Sequence, residues 1–86
     1  MPTTKQMLEK YKDLMETSKS CYVNGHDTLA DYLKCLDTHY EYIRGYLSAL
    51  YVYDFMTDKE FNKLTDEIFE IRAEYQSIGF KQYRNE

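Results

Sequence analysis

The sequence contains no tryptophan, only two cysteines and no long apolar run, and each shortfall excludes something. Cys21 and Cys35 are too few to staple a small secreted scaffold. Met1 is followed by polar Pro2, Thr3, Thr4, Lys5 and Gln6, so the apolar segment of a signal peptide is missing. The longest uncharged, apolar-rich stretch, Gly45 to Tyr53, is too short to span a bilayer. These features predict one domain over residues 1–86, cytoplasmic and without a membrane segment.

Cations are also in short supply. Lysine and arginine number 11 against 15 aspartates and glutamates, a formal net charge of −4. That balance argues against non-specific nucleic-acid binding, which needs clustered cations to displace counterions. It suits an acidic face that meets a basic partner. Hydrophobic residues make up 43% of the chain, enough for a packed core. What is abundant is tyrosine: ten residues, more than a core this small is expected to use. Tyrosine joins a large apolar ring to a polar tip and suits partly covered positions.

The hydrophobic spacing predicts an all-α, three-helix domain. The first helix is expected over 5–19, capped by Thr3 with Gln6 completing a capping box. Met7, Leu8, Tyr11, Leu14 and Met15 form its apolar face. Residues 20–27 break the pattern, with Asn24-Gly25 as a turn and Cys21 and His26 beside it. Asp27 or Thr28 caps a second helix over 28–53. Its seam is Leu29, Leu33, Leu36, Tyr40, Ile43, Leu47 and Leu50, in steps of four and three. Thr57 to Glu60 is a capping box flanked by Met56 and Phe61, the places of a hydrophobic staple. The third helix is expected over 58–78, with the seam Phe61, Leu64, Ile68, Ile71, Tyr75 and Ile78. Gly79 reads as its left-handed cap, Phe80 as folding back on Tyr75, and residues 80–86 as a frayed tail.

A loop of about four residues forces the second and third helices into a long antiparallel hairpin. Paired about that loop, Leu50 meets Phe61, Leu47 meets Leu64, Ile43 meets Ile68, Tyr40 meets Ile71, Leu36 meets Tyr75, and Leu33 meets Ile78. Every rung is apolar. The shorter first helix is expected to cover the second only to about residue 41, leaving a two-helix stem.

On that stem the second helix loses its polar outside. Arg44, Gly45, Ser48, Tyr51 and Val52 replace the earlier charged positions, while Tyr42, Tyr46, Ala49 and Tyr53 widen the inner face. A helix apolar on nearly all sides is normally buried on nearly all sides. Two readings are open: either the first helix tilts across the stem or these tyrosines cover the hairpin edge with their hydroxyls in water, or else another molecule covers the stem. Tyr42, Arg44, Gly45, Tyr46, Tyr51, Val52 and Tyr53 are the candidate binding residues under the second reading, tyrosine and arginine being favoured anchors. Gly45 would let another backbone approach closely.

On the third helix Glu60, Glu67 and Glu74 recur one heptad apart, with Asp66 and Glu70 nearby. Such a row is either a solvated flank, paired with Lys59, Lys63 and Arg72, or an edge that imitates phosphates before a basic partner. Glu60, Glu67, Glu70 and Glu74 join the candidate set on the latter reading. Cys21, His26, Cys35 and His39 do not match a zinc spacing, because Cys35 and His39 start about two turns below the turn. No phosphate loop, metal-helix motif or nucleophile beside a base is present, so no catalytic residue, metal or cofactor is expected. A chorismate-mutase-like pocket would need several inward cations, and here only Arg44 and Arg72 offer themselves, both off the seam. The third helix is too acidic for a recognition helix.

The stretch Gly45-Tyr46-Leu47-Ser48-Ala49-Leu50 through Thr57-Asp58-Lys59-Glu60-Phe61 resembles, in general style, small acidic tyrosine-rich proteins of bacteriophages and mobile elements. That resemblance implies a role among inhibitors of host defence, anti-CRISPR proteins among them, acting in the host cytoplasm by blocking a surface. The expectation is a non-catalytic protein-binding module, an inhibitor or adaptor, whose partner is a basic nucleic-acid-binding protein or nuclease, or a second copy in a homodimer. The alternative is a small dimeric DNA-associated regulator, and a small helical enzyme comes third.

Overall fold

A computed structural model describes residues 3–85. Three helices follow in order: α1 (Thr4–Val23), α2 (Leu29–Val52) and α3 (Asp58–Arg84). Each begins at a threonine in extended backbone, Thr3, Thr28 and Thr57. In every case the hydroxyl accepts the backbone N–H three residues on, at 3.1 Å. That bond satisfies one of the donors a helix start leaves unpaired. At α1 the Gln6 side chain returns the bond to Thr3 N at 2.9 Å, completing the capping box.

Two of the helix ends are Schellman motifs, and neither is at Gly79. After α1, Gly25 takes a φ of 81°, with His26 N bonded to Cys21 O and Gly25 N to Tyr22 O. After α2 the same pattern recurs around Asp54, φ 63°, with Phe55 N bonded to Leu50 O and Asp54 N to Tyr51 O. Gly79, expected as the cap of the third helix, is buried within α3, which runs on through the expected tail to Arg84. Its glycine serves a close approach instead. A Cβ there would lie 2.7 Å from Cε2 of Tyr32 and 3.3 Å from a methyl of Leu29. Lys81 and Arg84 in the last turn complement the helix dipole.

α2 lies antiparallel to α3 in the register that the seams predict. Tyr51 stacks on Phe61 with centroids 4.4 Å apart, and Tyr32 at the other end donates to Tyr75 O at 2.8 Å. α1 runs parallel to α3, pinned by Tyr11 donating to Ile68 O at 3.1 Å and Tyr22 to Gly79 O at 3.2 Å. The constant offset sets Thr4 level with Phe61, so the expected bare stem beyond residue 41 does not exist. α1 also continues past residue 19 to Val23, because Tyr22 is buried and stacks on Tyr32 at 4.8 Å. Cys21, expected at the turn, is therefore in the last turn of α1. The result is an elongated bundle of 47 × 22 × 16 Å.

The core takes Met7, Tyr11, Met15 and Tyr22 from α1, and Tyr32, Leu36, Tyr40, Ile43 and Leu47 from α2. Met56 from the loop and Ile68 from α3 complete it. Burying a side chain such as Leu36 or Ile68 contributes about 1.5–3 kcal/mol each. Four tyrosines are thus interior, more than the sequence reading allowed. Their hydroxyls are tolerated because α3 lends its backbone carbonyls as acceptors to Tyr11, Tyr22 and Tyr32. Burial pushes the Tyr11 and Tyr32 phenols up to about 12.

Candidate interaction surface

The remaining tyrosines divide by flank. Tyr46 is half-buried against the core, on the side of α2 that faces α1. Tyr42 follows the same flank but is 57% exposed, and it lines a groove of about 350 Å³ with Lys10, Leu14, Thr38 and His39. Tyr51 is on the opposite flank, flat against Phe61, and donates to Asp58 at 2.5 Å. That carboxylate raises the Tyr51 phenol above its ordinary value. Tyr75 bridges α3 to α1 by donating to Glu16 at 2.5 Å, a bond that holds the Glu16 carboxyl below its usual range.

Tyr42 and Tyr51 are therefore not on one surface. Nine residues of helix separate them, two and a half turns. Over this half of α2 the outer face carries Arg44, Gly45, Ala49 and Val52. Arg44 pairs with Glu41 at 2.8 Å and points away from the bundle's end. A Cβ built on Gly45 meets nothing within 4 Å, so that backbone is open to solvent.

At the end of this face the chain turns outward. Val52, Tyr53 and Phe55 are 71%, 73% and 75% exposed, grouped around the left-handed Asp54. A Schellman turn usually folds the residue after its left-handed position back onto the helix. Here Met56 is buried in the core instead, and Phe55 is left outside. Phe55 was not singled out from the sequence, because only the left-handed turn at Asp54 decides that it points outward. A second exposed pair, Phe80 and Tyr83, is on the last turns of α3 at the other end.

The acidic residues of α3 spread over more than one face. Glu60, Glu70 and Glu74 are exposed. Glu67 is drawn toward α1, 4.0 Å from Lys12, where an open groove also gathers Glu70, Ile71 and Glu74. Arg72, which the solvated-flank reading paired with this row, turns the other way. It crosses to α2, stacking over the Tyr40 ring at 4.0 Å and reaching Asp37 at 3.5 Å. Its planar guanidinium covers a core tyrosine rather than the acidic row of α3.

His39 is half-buried between α1 and α2, 3.1 Å from the Ser18 hydroxyl, and desolvation lowers its pKa. Among the described residues, no group of three His, Cys, Asp or Glu is close enough to hold a metal ion. No helix among them is long and apolar enough to cross a membrane. Compared with protein-family models, with curated proteins and with solved structures, the chain matches none of them.

Proposed function

We propose that the protein is a non-catalytic binding module, an inhibitor or adaptor that covers part of another protein with the α2–α3 end of its bundle. The observation that carries this reading is the exposure of Val52, Tyr53 and Phe55 side by side, next to exposed Ala49 on the outer face of α2. Scattered exposed apolar residues are ordinary, but grouped ones mark sites of association. Aromatic side chains in such a group supply large contact area at little conformational cost.

Two further features support it. Exposed Asp54, Asp58 and Glu60 lie close by in the chain, and exposed Glu70 and Glu74 follow along α3, which favours a basic partner. The bundle closes over its own core without help, so the exposed rings have no internal role. A partner from a phage-targeted defence system fits this chemistry, as does a second copy of the chain meeting it at the same end.

Solution molar mass separates those occupants. A dimer that becomes a monomer in Tyr53→Glu or Phe55→Glu, with helicity unchanged, identifies a second copy. A monomeric parent directs the search to another protein. Binding to any partner should weaken with added salt if the acidic rim contributes. A parent chain whose binding is indifferent to both substitutions would refute the reading.

A further inference from the structure

Away from the α2–α3 end, the α1–α2 flank carries a ladder of facing residues. Leu14 and Tyr42 line one groove between the two helices. One turn on, Ser18 Oγ and His39 Nε2 are 3.1 Å apart. Another turn on, the same flanks present Cys21 and Cys35. The spacing is complementary: four residues then three along α1, from 14 to 18 to 21, and three then four back along α2, from 42 to 39 to 35. Antiparallel helices with flanks repeating in this way keep them opposed turn after turn. On the inner side at this level Tyr22 and Tyr32 are stacked at 4.8 Å, so the two helices are still in close contact there.

Both cysteines are free thiols of intermediate exposure, within reach of a small reagent. Small side chains on a rung let helix axes approach to the lower part of the usual range, roughly 8–10 Å. A disulfide needs facing Cα atoms within roughly 4.4–6.8 Å, a span that flank positions on helices at such a separation can meet. Cys21 is in the last turn of α1, before the Gly25 turn, where a small backbone adjustment is easiest.

We propose that Cys21 and Cys35 are a reversible thiol pair that a small disulfide such as oxidised glutathione converts into an intramolecular bridge across the α1–α2 hairpin. The Cys21 thiolate attacks one sulfur of glutathione disulfide, breaking its S–S bond and releasing one glutathione thiolate. The Cys35 thiolate then attacks the Cys21 sulfur of the mixed disulfide and displaces the second glutathione. Two electrons pass from the two cysteine sulfurs to the glutathione disulfide. The two protons shed by the cysteines end on the two glutathione thiols. The bridge closes a short loop through the turn and leaves the Val52, Tyr53 and Phe55 surface untouched.

The test treats the folded full chain with oxidised glutathione and follows intact and tryptic masses with thermal melting. The expected product is a single chain lighter by two hydrogens, with tryptic peptides 20–34 and 35–44 joined. Its melting temperature should exceed that of the reduced chain by about 10 °C, and dithiothreitol should reverse both changes. In Cys35→Ser the reaction should stop at a glutathione adduct on Cys21, with no such rise. Stable glutathione adducts on both cysteines, a bridge between two chains, or an oxidised form that melts below the reduced one would overturn the pairing.

Discussion

The ring of Tyr32 presses on Gly79 so closely that any side chain at that glycine would collide with it. Tyr32 is fully buried and its hydroxyl is bonded to Tyr75 O at 2.8 Å, so the ring cannot swing aside. Gly79→Ala should therefore destabilise the fold by about 1–3 kcal/mol, the usual cost of overpacking a tight interior. Gly45→Ala should do the reverse and stabilise it by up to about 1 kcal/mol, since a Cβ there meets nothing and alanine favours the helix. Urea midpoints of the two variants, read against the parent, check the contrast. Equal effects would show that Gly79 has no packing role.

Asp54 occupies a left-handed conformation that costs an L-residue about 1–2 kcal/mol. Asp54→Gly should recover part of that and raise stability by about 0.5–1 kcal/mol. The check is a higher urea midpoint with an unchanged slope.

Three tyrosine hydroxyls tie the other helices to the backbone of α3. Tyr11→Phe and Tyr32→Phe should each cost about 0.5–1.5 kcal/mol, the net worth of one hydrogen bond. Tyr32→Ala should cost about 3–5 kcal/mol, because it also empties the ring's volume. Denaturant unfolding distinguishes the two classes.

Stability should fall at both ends of the pH scale for identifiable reasons. The Tyr11 and Tyr32 phenols are raised by burial from 10.0 to about 12, so the unfolded chain ionises first. Their contribution is complete below pH 10.0 and is lost as the pH rises toward 12. His39 is shifted downward from 6.5 by desolvation, so the unfolded chain takes up its proton first. Its contribution is present above pH 6.5 and declines as the pH falls below it. Melting temperatures across the range should show both declines, and His39→Gln should flatten the acid one.

The fold was legible because its signals are local. Threonine caps, the Asn24-Gly25 turn and two apolar seams that match rung for rung need only the spacing along each helix. Gly79 misled because a glycine after an apolar run has two uses, a left-handed cap and a close helix approach, and only the position of Tyr32 decides between them. The same holds for α1. Its last turn depends on Tyr22 finding Tyr32 across the turn and the carbonyl of Gly79, 57 residues away in the chain. The candidate surface was half visible. Val52 and Tyr53 were marked by the loss of charge along α2. Tyr46 was instead claimed by the core, and Phe55 was released from it by the turn at Asp54.

The claim that most needs testing is that the Val52, Tyr53 and Phe55 end of the bundle is where another molecule docks. The direct measurement is quantitative affinity capture from source-cell lysate with the parent, Tyr53→Glu/Phe55→Glu, and the matched control Phe80→Glu/Tyr83→Glu at the opposite end. The account predicts that the first variant loses the captured protein while the control keeps it, both remaining fully helical. Retention by the first variant, or equal loss in both, would contradict it.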